Sequence, residues 1–167
     1  GKAIGCSADE VLVASTGVIG EPLPMAKIRA GAVLAQKELK ANGFKRAAEA
    51  IRTTDTFAKY ASTTVVVNRK QVTISGIAKG SGMIEPNMAT MLSFITTDAN
   101  VSPAFLRGAL KRVADQTYNC VTIDGEGSTS DTVVVIANGV AGNAAMRSAK
   151  SAGAARSEAA RRDVATQ

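Results

Sequence analysis

Three runs of β-branched and apolar residues crowd the middle of the chain: Thr64-Val65-Val66-Val67, Gln71 to Ala78, and Met91 to Thr97. Only the polar Asn68-Arg69-Lys70 separates the first two, which reads as a hairpin-type link and argues against a purely parallel sheet. The second and third are joined by Lys79-Gly80-Ser81-Gly82-Met83-Ile84-Glu85-Pro86-Asn87-Met88-Ala89-Thr90. In that connection Gly80 and Gly82 permit unusual backbone angles, while Pro86 restricts Glu85 and fixes its own φ. The rest of the fold has to be arranged around this strand, loop and strand.

Helical periodicity appears on both sides. Met25, Ile28, Ala32, Ala35 and Leu39 recur at helical spacing and predict a helix over 25–40, stopped by Asn42-Gly43. A second short helix is expected from Phe44 to about Arg52, ending at Thr53-Thr54-Asp55-Thr56. Ser102-Pro103 opens a third, with Ser102 as N-cap and Pro103 at its first position, carrying Phe105, Leu106, Leu110 and Val113 to near Asp115. Further strands are expected at Val11 to Ser15, Val121 to Ile123 and Thr132 to Ala137, the last two flanking a loop from Asp124 to Asp131. Strands interleaved with helices of this length indicate an α/β protein of one domain.

Composition narrows the chemistry. The chain contains no histidine, which excludes a Ser-His-Asp triad, a Cys-His dyad and any His-containing zinc site within it. Cys6 and Cys120 lie far apart without a CxxC pattern, so reduced thiols are expected. Four Phe, two Tyr and no Trp leave little for a base-stacking surface, so nucleic acid is not an expected partner. The net charge of +6 owes much to Arg147, Lys150, Arg156, Arg161 and Arg162, in an Ala/Ser/Arg-rich stretch that reads as a solvated tail over 143–167. No apolar run approaches the roughly 20 residues that span a bilayer, and Gly1 to Glu10 lacks a signal-peptide core; a soluble, cytoplasmic protein is expected.

Ser, Thr, Lys, Asp, Glu and backbone groups remain for any reaction. A threonine hydroxyl is a poor nucleophile without a base, but a chain-terminal threonine has its own α-amine, with a pKa of roughly 7.7 to 8.0. Thr90 would become terminal if its hydroxyl attacked the Ala89 carbonyl and the resulting ester hydrolysed. On local composition alone, the plainer alternatives stand beside this: a loop entering a buried strand at Thr90, a simple turn at Thr16-Gly17, a solvated lysine at Lys79.

The run GIAKGSGMIEPNMATMLSFITTDA closely resembles the processing site of the ornithine acetyltransferase family, the bifunctional N-acetyltransferases of arginine biosynthesis. VLVASTGVIGEPLPM at 11–25, AIRTTDTF at 50–57 and TYNCVTIDGEGSTSDTVVVIANG at 117–139 agree in order and spacing, so the resemblance spans roughly 7–142 and defines a partial domain at 1–142. It implies a layered sandwich of mixed sheets between helices and self-cleavage between Ala89 and Thr90. It further implies Thr90 as nucleophile, Thr16 and Gly17 as oxyanion hole, and Thr53 and Lys79, with Thr90, as substrate-binding residues. The implied partners are N-acetylornithine and glutamate, with no cofactor, acetyl-CoA as co-substrate in some members, and a heterotetramer of two cleaved α and two β chains. The Asp-Gly-Glu-Gly context of Glu126 resembles a later family motif that carries a substrate-binding acid, but its spacing matches an earlier loop segment where the family has Asp, which favours a structural position over a ligand and leaves both readings open. Against the family, the early part of the N-terminal subunit is missing, and the downstream substrate-binding Glu, Asn and Ser/Thr have no counterpart beyond about Asn143. A catalytically incomplete fragment acting in assembly, and an autoproteolytic aminopeptidase of similar architecture, are therefore the alternative readings.

Overall fold

The computed structural model describes residues 1–83 and 90–149. The β-branched runs form the expected hairpin. β1 (Lys59–Val67) and β2 (Lys70–Lys79) pair antiparallel, with Val67 opposite Lys70 and Val65 opposite Val72. Asn68 and Arg69, at φ 49° and 63°, supply the two left-handed residues that a tight hairpin turn needs to match strand twist. β3 (Leu92–Thr97) adds antiparallel to β2, and β4 (Thr132–Ala137) adds parallel to β3. The four strands lie in the order β1-β2-β3-β4. A parallel neighbour requires a crossover, and α3 (Pro103–Gln116) provides it. Its start is as the sequence predicts: Pro103 opens the helix and the Ser102 hydroxyl accepts the Phe105 N–H at 3.3 Å.

The mixed sheet with flanking helices is the expected α/β architecture. One core gathers Val67, Val72, Ala99 and Met146, with Val65, Val101, Phe105 and Ala141 packed against it. Side chains alternate along a strand and paired residues share a face. The Val72 face therefore also carries Ala78 and its partner Ser93, whose buried hydroxyl meets the Tyr118 phenol at 2.7 Å. The opposite face carries Ile77, Leu92 and Lys79, all buried. α2 (Phe44–Ala50) packs on β1 and β2 through a fully buried Ala48, and α1 (Met25–Lys37) buries no residue among those described. Asn143 and Met146 stitch residues beyond β4 beside 100–102: Asn143 Oδ1 accepts the Asn100 N–H at 2.8 Å, and the Met146 carbonyl accepts the Ser102 N–H at 2.9 Å. Among the described residues no helix is long and apolar enough to cross a membrane.

Two expected strands do not form. Val11 to Ser15 follows a short 3-10 turn (Ala8–Glu10) as chain without strand pairing, with Leu12 and Val13 exposed instead of buried in a sheet. Val121 to Ile123 reaches only isolated bridge pairing at Ile123 and Asp124. Asp124 and Gly125, at φ 66° and 70°, turn the chain away before a ladder can extend.

The core locates a stability test. Val72→Ala should lower unfolding free energy by about 1.5–3 kcal/mol, whereas Ile136→Ala, on an exposed side chain, should change it by less than about 0.5 kcal/mol. Urea unfolding of both variants measures the difference; equal losses would misplace the core.

Candidate active site

β2 ends at Lys79 and β3 begins at Leu92, and these two residues are register partners. The long connection therefore leaves and re-enters the sheet at adjacent positions, with Thr90 two residues before the return. Lys79 is only 3% exposed. A buried ammonium is costly unless it is paired and hydrogen-bonded, and Lys79 Nζ donates to Thr16 Oγ1 at 2.8 Å. Burial pulls the Lys79 pKa below its ordinary value, and the negative charges of Asp55 and Asp131 only partly oppose that. The contact joins residues 63 positions apart in sequence, bringing the Thr16-Gly17 pair to the end of β2. The Gly17 N–H has no hydrogen-bond partner among the described residues.

Thr53 joins the same end through Asp55. The Asp55 carboxylate accepts the Thr53 N–H (3.4 Å) on Oδ2 and the Gly80 N–H (2.8 Å) and Lys59 ammonium on Oδ1. Burial pushes this acid upward, but the Lys59, Gly80 and Thr53 donors outweigh it, so its pKa falls below the usual value. The Thr54 and Ser81 hydroxyls, 2.7 Å apart, make a second tie between the 53–55 loop and the glycine loop. Thr53 itself is exposed, free to meet a ligand from solvent.

Thr90 sits at φ 31°, a left-handed conformation that costs a β-branched residue about 1–3 kcal/mol. Its hydroxyl is buried without a hydrogen-bond partner among the described residues. The loop from Asp124 to Asp131 holds the chain at Met83 and again at Met91. Asp124 Oδ2 accepts the Met83 N–H at 2.7 Å, and Asp131 Oδ1 accepts the Met91 N–H at 2.6 Å. Asp131 Oδ2 is buried and has no hydrogen-bond partner among the described residues, and burial raises this pKa against the Met91 bond and the Lys79 charge. Glu126 is exposed, and its N–H donates to Asp124 Oδ1 at 3.3 Å. Ala89 lies outside the described residues.

Thr16, Lys79, Thr53 and Thr90 thus converge on one end of the sheet. Asp55 and Asp131 were not singled out from the sequence. Their available signal was position: each is an acid in a Ser/Thr-rich loop just ahead of a strand, where carboxylates commonly accept backbone N–H groups.

The whole chain, residues 1–167, matches the family described as the ArgJ family. It is 53% identical over 142 residues to the arginine biosynthesis bifunctional protein ArgJ of Symbiobacterium thermophilum, covering 85% of this chain and 35% of that protein. The similarly described protein of Thermotoga neapolitana is 53% identical over 143 residues, covering 86% of this chain and 36% of the relative. That of Oceanobacillus iheyensis is 57% identical over 134 residues, covering 80% and 32%. The chain spans about a third of the length of the curated relatives it matches.

Asp55 generates a pH prediction. Its folded pKa lies below its unfolded value of about 3.9, so its stabilisation is fully present above that value and is lost as pH falls through the folded one. Asp55→Asn should therefore cost about 1.5–3 kcal/mol near pH 7, with the gap to the parent narrowing below about pH 4. Thermal melts across a pH series read this; a pH-independent gap would contradict it.

Proposed function

Because the chain belongs to the ArgJ family, we propose that it carries the nucleophile of an N-acetyltransferase of arginine biosynthesis. In this reading Thr90 attacks the Ala89 carbonyl, the ester hydrolyses, and the freed Thr90 amine serves as base for its own hydroxyl. Thr90 Oγ1 then takes the acetyl group of N-acetylornithine, releases ornithine, and passes the acetyl group to the amine of glutamate. The observation that carries the reading is the Lys79–Thr16 hydrogen bond, which gathers charge and donors at the strand end that leads to Thr90.

Each group has a physical task. When Thr16 Oγ1 accepts from the Lys79 ammonium, its own O–H becomes a stronger donor and remains available to a ligand. That O–H, with the unpartnered Gly17 N–H, suits an oxyanion, and one such donor contributes about 3 kcal/mol in acyl transfer. An ammonium has three donors. Lys79 spends one on Thr16, leaving two for a substrate carboxylate, and the exposed Thr53 hydroxyl can bind the same carboxylate. In the proposed whole enzyme, two pairs of cut chains assemble as a heterotetramer in the cytoplasm. Acetyl-CoA is the alternative acetyl donor.

Denaturing mass spectrometry tests this directly. The unmodified chain should resolve into residues 1–89 and 90–167, Thr90→Ala should remain whole, and N-acetylornithine should add one acetyl group to the 90–167 piece. Lys79→Ala should slow acetylation by about 10²–10³-fold, and Lys79→Arg by less. Acetylation of an uncut chain, or cutting of Thr90→Ala, would sink the mechanism.

A further inference from the structure

Self-cleavage poses a problem that acyl transfer does not. In the uncut chain the Thr90 nitrogen is an amide, so the base available to a terminal threonine does not yet exist. With no histidine in the chain, the acceptor for the hydroxyl proton must be a carboxylate, a lysine or water. Asp55 is fully engaged: Gly80 and Lys59 occupy Oδ1, and Thr53 occupies Oδ2. Lys79 already donates to Thr16 and is held between the charges of Asp55 and Asp131. Asp131 differs from both. One oxygen is fixed on the peptide N–H that follows Thr90, and the other is buried with no partner among the described residues, as is the Thr90 hydroxyl.

We propose that Asp131 is the base of the cleavage step, Oδ1 anchoring the carboxylate on the Met91 amide while Oδ2, which does not hydrogen-bond the Thr90 hydroxyl itself, takes its proton through one water. The inference rests on the reading of Thr90 as the nucleophile. The O–H bond of Thr90 breaks and its proton moves to Asp131 Oδ2 as Oγ1 bonds to the Ala89 carbonyl carbon. The carbonyl electron pair shifts to oxygen. Collapse of that adduct breaks the Ala89–Thr90 C–N bond, and the departing nitrogen takes the proton that Asp131 holds. The carboxylate is restored, leaving an ester on Thr90 and a free α-amine; water then hydrolyses the ester. Desolvation supports the role, because a carboxylate with a raised pKa is a stronger base, and Lys79 across β3 is the charged side chain that tempers the rise.

The test is a time course of cutting across pH 4–9, followed by denaturing mass spectrometry on the 167-residue chain, Asp131→Asn and Asp131→Glu, with circular dichroism monitoring the fold. Asp131→Asn can still accept the Met91 N–H through its amide oxygen but has no base. It should cut about 10²–10⁴-fold more slowly, without an acid limb, and hydroxylamine should not restore cutting because no ester accumulates. The unmodified chain should slow toward acid as Asp131 protonates, above the usual carboxylate range, and Asp131→Glu should retain that limb at a reduced rate. A folded Asp131→Asn that cuts within about threefold of the parent overturns the assignment while leaving Thr90 as nucleophile. If Asp131→Asn does not fold, a parent rate flat from pH 4 to 8 overturns it instead. Hydroxylamine-dependent cutting of Asp131→Asn also overturns it, since the ester would then form without the carboxylate. A parent chain that never cuts removes both readings.

Discussion

A buried ammonium at the end of a strand governs this molecule. Lys79 cannot leave the sheet, because its backbone is paired to Leu92, and its side chain lies on the face that also buries Ile77 and Leu92. A charge in that position demands polar neighbours. Thr16 arrives from far back in the sequence to accept one of its hydrogens, and the carboxylates of Asp55 and Asp131 act on it through their charge. The polar cluster at this sheet end thus offsets part of the cost of burying the lysine.

The glycine loop is held by its ends. Asp55 fixes its start at Gly80, Asp124 grips Met83, and Asp131 grips Met91. Each contact is a carboxylate accepting a backbone N–H, a charge-assisted bond of roughly twice the strength of a neutral one. Left-handed backbone at Met83 and Thr90 lies just inside two of these grips. Strain of that kind persists only where surrounding contacts over-determine the conformation. The anchoring acids meet that condition, which explains how a β-branched residue is kept in a backbone state it would otherwise avoid.

Much of the scaffold was legible because its signals are local. The hairpin at Asn68-Arg69, the Ser102-Pro103 helix start and the Val-rich β4 each follow from turn chemistry, capping or β-branched runs acting over a few residues. Val11 to Ser15 failed as a strand because a strand is defined by a neighbour, and apolar composition does not supply one. Among site residues, Thr16, Thr53, Lys79 and Thr90 entered through family resemblance, and their gathering at one sheet end rests on register and on a contact across 63 residues. Asp55 and Asp131 escaped notice because an acid before a strand looks the same in sequence whether it caps a loop in solvent or is buried against a lysine.

The opposed pKa shifts within this cluster follow from which partners each acid has. Asp55 and Asp131 are both desolvated, which alone would raise both. Asp55 has three donors, including the Lys59 ammonium, and ends lowered; Asp131 has one backbone donor and ends raised. Two carboxylates at one sheet end are thereby driven toward different tasks. The well-hydrogen-bonded charge of Asp55 is suited to holding structure, since it is reluctant to accept a proton. Asp131 keeps an oxygen in reserve and accepts a proton more readily, at the point where the chain turns into β3 and where a proton has to be moved if Thr90 is to react.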